Sequence, residues 1–599
     1  MKSQLTLLWQ SIAADAAVQC RTSADLDSKR IEARFEHEGE QLFTLSLPAI
    51  GKEFERALDV GRLTPELLSL TGAKSRFPVF LGNFVSLVFS RDNGVLLYKP
   101  SPVAIQAVRQ LTLGFGKMLT PCSKKRERAA FDRYVEIERE LDESRYNLDV
   151  DSIGDLRRIC NLLFGEVFSC MDQAVYYGDI VPRHGPGATA DKLRGNEKYQ
   201  QEEWTERLER VFPAMEHLLP NLRYHDSLDR IKFLDPGAER PVRVISVPKT
   251  ARTPRIIAIE PTCMQYMQQG LLEAMRTYVW DSKPIRDMMG LDSQFPNQEL
   301  AQEGSLSGTL ATLDLSEASD RVPNWLVVAL LDDWTHLSEA VQATRSLRAD
   351  VPGHGVIPLI KFASMGSALT FPVEEILFLT VIFYSIEQEL GRRLSYEDLW
   401  AFKGRVRVYG DDIIVPVEYV QRVLQNLWAV GSVVNESKSF WTGRFRESCG
   451  KEYYAGEDVS IFRVRRPLPS SRADELEIVS AVSLRNQAYE HGYWGTAKFL
   501  DGLLEGLIPF PNVEETSQVL GRHSVLGYSE DGWNAKTQNP LVKGVIVRSQ
   551  TPPSKVEDEW ALLKCFLKRG AEPYADERHL ERQGRPSHVG IKTGWAAPF

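Results

Sequence analysis

The sequence predicts an α+β chain: a mostly helical first 200 residues leading into a central α/β third. Three observations carry that expectation. Leu156, Ile159, Leu162, Leu163, Val167 and Phe168 recur at helical spacing and give one wide apolar face. Residues 241–261, PVRVISVPKTARTPRIIAIEP, set Val242, Val244 and Ile245 before Pro248, and Ile256, Ile257 and Ile259 after Pro254, which reads as two strands around a basic loop. Residues 405–417, RVRVYGDDIIVPV, read as two short apolar strands joined at a Gly-Asp turn.

The remaining elements follow the same logic. TLATLDLSE, residues 309–317, alternates as a strand ending in an acidic turn, and Pro323 stands where a helix starts that Trp325 to Trp334 continue. Val420, Val423, Leu424, Leu427 and Trp428 form an amphipathic helix that Gly431 is placed to cap. The stretch 368–386 is the most apolar, but Glu374 and Glu375 make it a buried helix and not a membrane span. The apolar run from Leu5 to Trp9 is too short for a signal peptide.

Composition narrows the classes. The chain has 599 residues, 43% hydrophobic and 26% charged, the balance of a soluble globular protein able to bury several cores. Its net charge of −9 excludes a small, uniformly basic coat for nucleic acid, yet leaves room for a locally positive channel. Seven cysteines are scattered without a CxxC pair, so neither a disulfide framework nor a zinc site is expected, and a reducing cytosol fits. No internal repeat is present, and no HExxH or nucleophile-elbow motif points to a hydrolase.

The chemistry concentrates at Tyr409-Gly410-Asp411-Asp412. Two adjacent carboxylates on a tight hairpin amid apolar strands are electrostatically costly unless a cation sits there, and oxygen-only ligands select a hard divalent ion. Asp314, at the end of its own strand, supplies the third carboxylate that a two-metal site takes from a neighbouring strand. Asp320 reads as the N-cap of the helix beyond Pro323. Residues 361–375, KFASMGSALTFPVEE, form a small-residue turn entering a helix, where backbone can approach a ligand. Lys249, Arg252 and Arg255, at spacing three on the basic loop, suit a polyphosphate.

In this order the blocks VPKTARTPRIIAIEP, ATLDLSEASD, SMGSALTFPVEE, VYGDD and FRESCGKEYYAGEDVS resemble the palm-type RNA-directed RNA polymerases. Within that class the chain is most similar to the replicase β subunit of single-stranded RNA bacteriophages, the levivirus type. RHGPGATAD (183–191) and LPAIGKEFERAL (47–58) extend the resemblance more weakly. It implies a right-hand fold of palm, fingers and thumb, with an antiparallel-sheet palm and largely helical fingers and thumb. Residues 1–230 would be the N-terminal region and fingers, 231–290 fingers with the basic nucleotide loop, 291–460 the palm, and 461–599 the thumb and C-terminal region.

The resemblance further implies template-directed RNA synthesis that replicates a positive-strand phage genome, moving nucleotides from NTPs to an RNA 3′ end with release of pyrophosphate. Asp314, Asp411 and Asp412 would bind two Mg²⁺ ions. Lys249, Arg252 and Arg255 would neutralise the triphosphate, Lys438 would be the general acid for pyrophosphate, and Asp320 would sense the ribose 2′-hydroxyl. Ser364, Gly366 and Thr370 would line the nucleotide site. The implied partners are a single-stranded RNA template, host elongation factors Tu and Ts and a small-subunit ribosomal protein, in the host bacterial cytoplasm and without a membrane.

One departure stands out. The wider polymerase class carries Gly-x3-Thr-x3-Asn, whereas this chain reads Gly366, Thr370 and Glu374, with Ser367 where some relatives carry Asn. The pairs Asp332-Asp333 and Glu374-Glu375 read as helix faces, and SKKRER (123–128) as a solvated helix start. Arg463, Arg465 and Arg466 follow the palm blocks directly and are the better RNA contact. Two rivals share parts of this pattern. A reverse transcriptase keeps the palm but has a small hydrophobic residue in place of Gly410, and a catalytically dead RNA-binding protein has no use for three intact Asp residues.

Overall fold

The computed structural model describes residues 3–74, 76–550, 556, 558–567 and 588–599; residues 551–555, 557 and 568–587 of the expected C-terminal region lie outside the described residues. The first third is helical, as its periodicity predicts. Its main helices are α1 (Gln4–Gln19), α2 (Leu47–Val60), α3 (Pro102–Leu113), α4 (Lys124–Ser144) and α5 (Val150–Tyr176). Ser3, Ser101, Ser123 and Asp149 cap α1, α3, α4 and α5, each side chain accepting from a backbone N–H of the first turn that would otherwise lack a partner. The predicted face of α5 is buried at Leu156, Ile159, Leu163, Val167 and Phe168, with Leu162 packed at its edge.

The centre holds two four-stranded sheets. Its elements in chain order are β1 (Val242–Val247), β2 (Arg255–Ile259), α6 (Thr262–Asp281), α7 (Phe295–Ser307), β3 (Leu310–Ser316), β4 (Arg348–Val351), β5 (Gly355–Pro358), α8 (Thr370–Leu390), β6 (Arg407–Tyr409), β7 (Asp412–Pro416), α9 (Val420–Ala429) and β8 (Val433–Val434). One sheet runs β2-β1-β4-β5, with β1 and β2 antiparallel around the basic loop and β1 parallel to β4. The other runs β6-β7-β3-β8 and is antiparallel throughout.

β3 lies inside its sheet and is covered on both faces, so it is buried almost continuously and not only at alternate positions. Ala311, Leu313 and Leu315 join the main core, which α5, α6, α8 and α9 complete. Helix α8 is buried along most of its length, as its composition implied, and no helix among the described residues is long and apolar enough to cross a membrane. Gly431 ends α9 in the left-handed conformation at φ 87°, the expected cap.

Two expectations are corrected here. The helix after Pro323 spans only Asn324–Leu330, and Thr335–Ala343 is a separate helix, so Trp334 precedes the second one instead of ending the first. Asp320 does not cap it: Pro323 holds the N-cap position without a side-chain bond, and Asp320 closes a short 3-10 turn, Ala318–Asp320.

The N-terminal helices are not an independent unit. Phe43, Phe54, Phe89 and Phe115 share one core with Phe440, Phe445, Tyr454, Phe462 and Tyr493. A third sheet carries this joint: β9 (Phe445–Ser448), β10 (Lys451–Tyr454) and β11 (Glu457–Asp458). Helices α10 (Glu475–Glu490) and α11 (Trp494–Glu505) follow, and the long strands β12 (Pro540–Gln550) and β13 (His588–Ala596) pair antiparallel near the end of the chain.

Candidate active site

The antiparallel register of β7 on β3 sets Asp412 directly opposite Asp314, and the β6–β7 turn adds Asp411. Residues so paired bring their side chains within a few ångströms of each other. Asp314 is held on both oxygens: Lys438 Nζ donates to Oδ1 at 2.8 Å and Asn435 Nδ2 donates to Oδ2 at 2.9 Å. Asp412 Oδ2 accepts from the Cys449 N–H at 3.2 Å, while Asp411 is exposed at the tip. Burial first, then the charges of Asp411, Asp314 and Glu447, push the Asp412 carboxyl up to about 7. Burial also raises Asp314, against the pull of Lys438.

Among the described residues no three His, Cys, Asp or Glu side chains converge as a ready-made metal cage. The donor set nonetheless fits a hard divalent cation. Its ligands are oxygens, like charges are crowded at Asp412, and an ion such as Mg²⁺ takes a few carboxylates and completes its shell with water and substrate phosphates.

The hairpin turn is made by glycine for two reasons. Gly410 has φ 56°, and a Cβ there would lie 2.5 Å from the Phe371 ring. Behind it stands the Glu374-Glu375 pair on α8. The pair lies on a buried face of the helix, in keeping with the expected buried helix. Glu375 Oε1 accepts the Gly410 N–H at 2.7 Å and thereby fixes the turn; its burial raises the carboxyl to about 8. Glu374 is 5% exposed, and its Oε2 has no hydrogen-bond partner among the described residues. Burial, then Asp411, Glu375 and Asp320, hold its carboxyl well above the usual range.

The small-residue turn packs on the sheet that carries the basic loop. Ala258 N–H donates to Met365 O at 2.9 Å, and a Cβ on Gly366 would fall 1.8 Å from Ala258 O, so only glycine fits. Ser364 is buried, with its hydroxyl 2.9 Å from Tyr134 OH, and Thr370 Oγ1 donates to Ser364 O at 2.8 Å. Both hydroxyls are used in shaping the turn. Asp320 Oδ1 pairs at 3.2 Å with Lys361, a fully buried cation that also meets Glu138 at 3.1 Å and lies 3.4 Å over the Tyr134 ring.

Of the three loop cations, Lys249 senses the Asp411 and Asp314 charges as well as Arg255 and Lys438, which places it toward the carboxylates. Arg255 begins β2, and Arg252 is exposed in the loop. The loop is braced from the N-terminal side. Ser123 caps α4 as the SKKRER reading implied, but Arg126 also donates to Ala251 O at 2.9 Å.

Sequence reasoning missed the residues that approach from outside the blocks' own contacts. Glu447 on β9 lies near Asp314 and Asp412 and is drawn below the usual carboxylate range, against its burial, by Lys52, Lys438, Arg109 and Lys117. Lys52, within LPAIGKEFERAL, lies 3.9 Å from Glu447, and Arg109 pairs with Glu55 and Glu452 at 2.9 and 2.8 Å. Of the candidate RNA arginines, Arg463 is paired with Glu452 at 3.0 Å and Arg466 with Glu477 at 3.1 Å. The Asp332-Asp333 pair is likewise engaged; it lies between two helices and binds Arg157 of α5.

A family model matches the stretch that holds the predicted site residues. Residues 238–483 match the family model described as RNA replicase, beta-chain. The RNA-directed RNA polymerase subunit beta of Qbeta virus (strain MX1) is 36% identical over 231 residues, covering 38% of this chain and 36% of that one. The subunit of Enterobacteria phage SP is 32% identical over 262 residues, 44% of this chain and 40% of that one. The beta chain of Escherichia phage MS2 is 35% identical over 225 residues, 38% of either chain. The matches therefore span well under half the length of these relatives. Among solved structures, the RNA-dependent RNA polymerase of a human picobirnavirus aligns at TM-score 0.30 and 12% identity, over 44% of this chain and 55% of that one. The stretch that holds every candidate residue, 238–483, is similar to the RNA replicase beta-chains.

Proposed function

We propose that this chain is an RNA-directed RNA polymerase, the catalytic subunit of a phage replicase. The single observation that carries the reading is the Asp314–Asp412 register with Asp411 beside it, near a basic loop whose Lys249 senses Asp411 and Asp314. In this reading residues 291–460 act as the palm, 1–290 supply the N-terminal region and fingers, and 461–599 the thumb and C-terminal region.

Asp314, Asp411 and Asp412 would hold two Mg²⁺ ions. Metal held there would supply activation of the RNA 3′-hydroxyl and charge neutralisation for the triphosphate and the leaving pyrophosphate. Lys249, Arg252 and Arg255 receive the triphosphate. Lys438, 2.8 Å from Asp314 Oδ1, would protonate the leaving pyrophosphate. Asp320, paired with Lys361, and Glu374, whose Oε2 has no partner among the described residues, would read the ribose hydroxyl. Gly366 and the Ser364–Thr370 bond keep that wall close-packed.

The substrates are NTPs and a single-stranded RNA template, here a positive-strand phage genome. Elongation factors Tu and Ts, a small-subunit ribosomal protein and the host cytoplasm are proposed on resemblance alone. Incorporation of labelled nucleotides by the purified chain on an RNA template tests the reading, with NTPs and dNTPs in parallel and with or without bacterial lysate. NTP incorporation abolished by Asp411→Asn supports it. Incorporation of dNTPs would instead make it a reverse transcriptase.

A further inference from the structure

The N-terminal segment and the chain after the third sheet meet in a short ledge of two irregular segments. Val464 N–H donates to Gly114 O at 2.8 Å and Leu119 N–H donates to Arg465 O at 2.8 Å, so residues 114–119 and 462–466 run side by side. Gln110 fastens the joint from α3, donating to Phe462 O at 3.0 Å and accepting from Phe462 N–H at 3.1 Å. What this joint presents is positive.

Lys117, Arg463, Arg465 and Arg466 all stand on or beside this ledge, and their partners sort them. Arg463 and Arg466 are neutralised by Glu452 and Glu477. Lys117 and Arg465 are exposed, and among the described residues neither has a carboxylate within ion-pair distance. The nearby acids are shared among several cations: Glu452 pairs with Arg109 and Arg463, and Glu447 faces Lys52, Lys438, Arg109 and Lys117 at once. Lys117 is accessible yet crowded. Its amine is lowered to about 8, first by the surrounding chain and then by Arg463 and Lys438, so it sits in a recess. Arg465 is lowered by burial and by Arg463. Cations crowded in this way call for an anion.

The position of the ledge selects which anion. Lys438 is bonded to Asp314, and both Lys117 and Lys249 sense its charge. The carboxylate centre therefore has a cationic group on the basic loop and a second on the ledge. The loop suits the incoming triphosphate, which leaves the ledge for the strand itself.

We infer that the ledge formed by residues 114–119 and 462–466 binds the phosphodiester backbone of an RNA strand, with Lys117 and Arg465 as its two phosphate-binding cations. The inference rests on the polymerase reading of the Asp site. It also gives the N-terminal segment a direct part in holding RNA.

The test is the salt dependence of binding of a labelled oligoribonucleotide to the full chain, alongside binding of a labelled NTP. Lys117→Ala with Arg465→Ala removes two contacts, so the slope of log affinity against log salt falls by about 1.4. Lys117→Arg with Arg465→Lys keeps the slope, and NTP affinity is unchanged in both. Since both side chains are exposed, the thermal midpoint stays that of the wild type. An unchanged slope in the double alanine variant overturns the inference, as does a loss confined to NTP binding. The expected slope change in a chain that incorporates no nucleotide supports the ledge and overturns only the polymerase reading. A wild-type chain that binds no RNA overturns both.

Discussion

Asp412 and Asp314 face each other across an antiparallel strand pair, and burial with this like-charge contact lifts Asp412 to about 7. The folded state therefore holds a proton that the unfolded chain has released between its ordinary value of 3.8 and about 7. Stability contributed by that proton is lost as pH rises through this window. Asp412→Asn removes the effect. In the absence of divalent ions its melting temperature exceeds that of the wild type at pH 8 and matches it near pH 4. Adding Mg²⁺ raises the wild-type midpoint more than that of the variant, as a thermal-shift series in both buffers will read.

Glu374 predicts a trade between stability and selectivity. It is buried, senses the charges of Asp411 and Asp320, and has an oxygen without a partner among the described residues. Glu374→Gln removes the repulsion and raises the melting temperature at pH 8. If Glu374 reads the ribose, the same change lowers the preference for NTP over dNTP by about tenfold, the worth of one hydrogen bond. Competition between ATP and dATP on one template measures it, and an unchanged ratio removes Glu374 from ribose selection.

The two turn glycines predict losses of different size. Alanine at Gly410 meets a movable ring and a positive φ, at a cost of about 1–3 kcal/mol. Alanine at Gly366 meets the Ala258 carbonyl oxygen, which belongs to a strand and cannot move aside. Urea unfolding therefore ranks Gly366→Ala well below Gly410→Ala, and Gly366→Ala gives the lower yield of folded protein.

Glu260 predicts a pH effect away from the carboxylate centre. Its carboxyl is 3% exposed, accepts from Ser346 Oγ at 2.5 Å and is raised by burial to about 7. Because the folded value lies above the ordinary 4.5, stability falls as pH rises from about 4.5 to 7. Glu260→Gln flattens that part of the curve of melting temperature against pH and leaves the acid side unchanged.

The strands and turns were legible because each is written locally. The basic hairpin, the Gly410 turn and the cap at Gly431 need only residues near one another in sequence. The proximity of Asp314 to Asp412 was legible only as a chemical requirement, since it depends on the register of β7 on β3. What the sequence hid depends on partners distant in the chain. Nothing near Arg463 or Arg466 marks them as already paired, and nothing near Lys52 announces Glu447. Asp320 has the spacing of a helix cap, yet the buried charge of Lys361 takes it instead. The helix expected to run to Trp334 breaks after Leu330, where Asp332 and Asp333 turn to Arg157.

The most direct test of the central claim is where a divalent ion binds. Fe²⁺ substituted for Mg²⁺, with ascorbate and peroxide, cleaves the backbone around the bound metal, and the fragments locate it. Cuts are expected near residues 314 and 411–412, suppressed by excess Mg²⁺ and lost in Asp412→Asn. Cleavage elsewhere, or cuts that persist in Asp412→Asn, would contradict it.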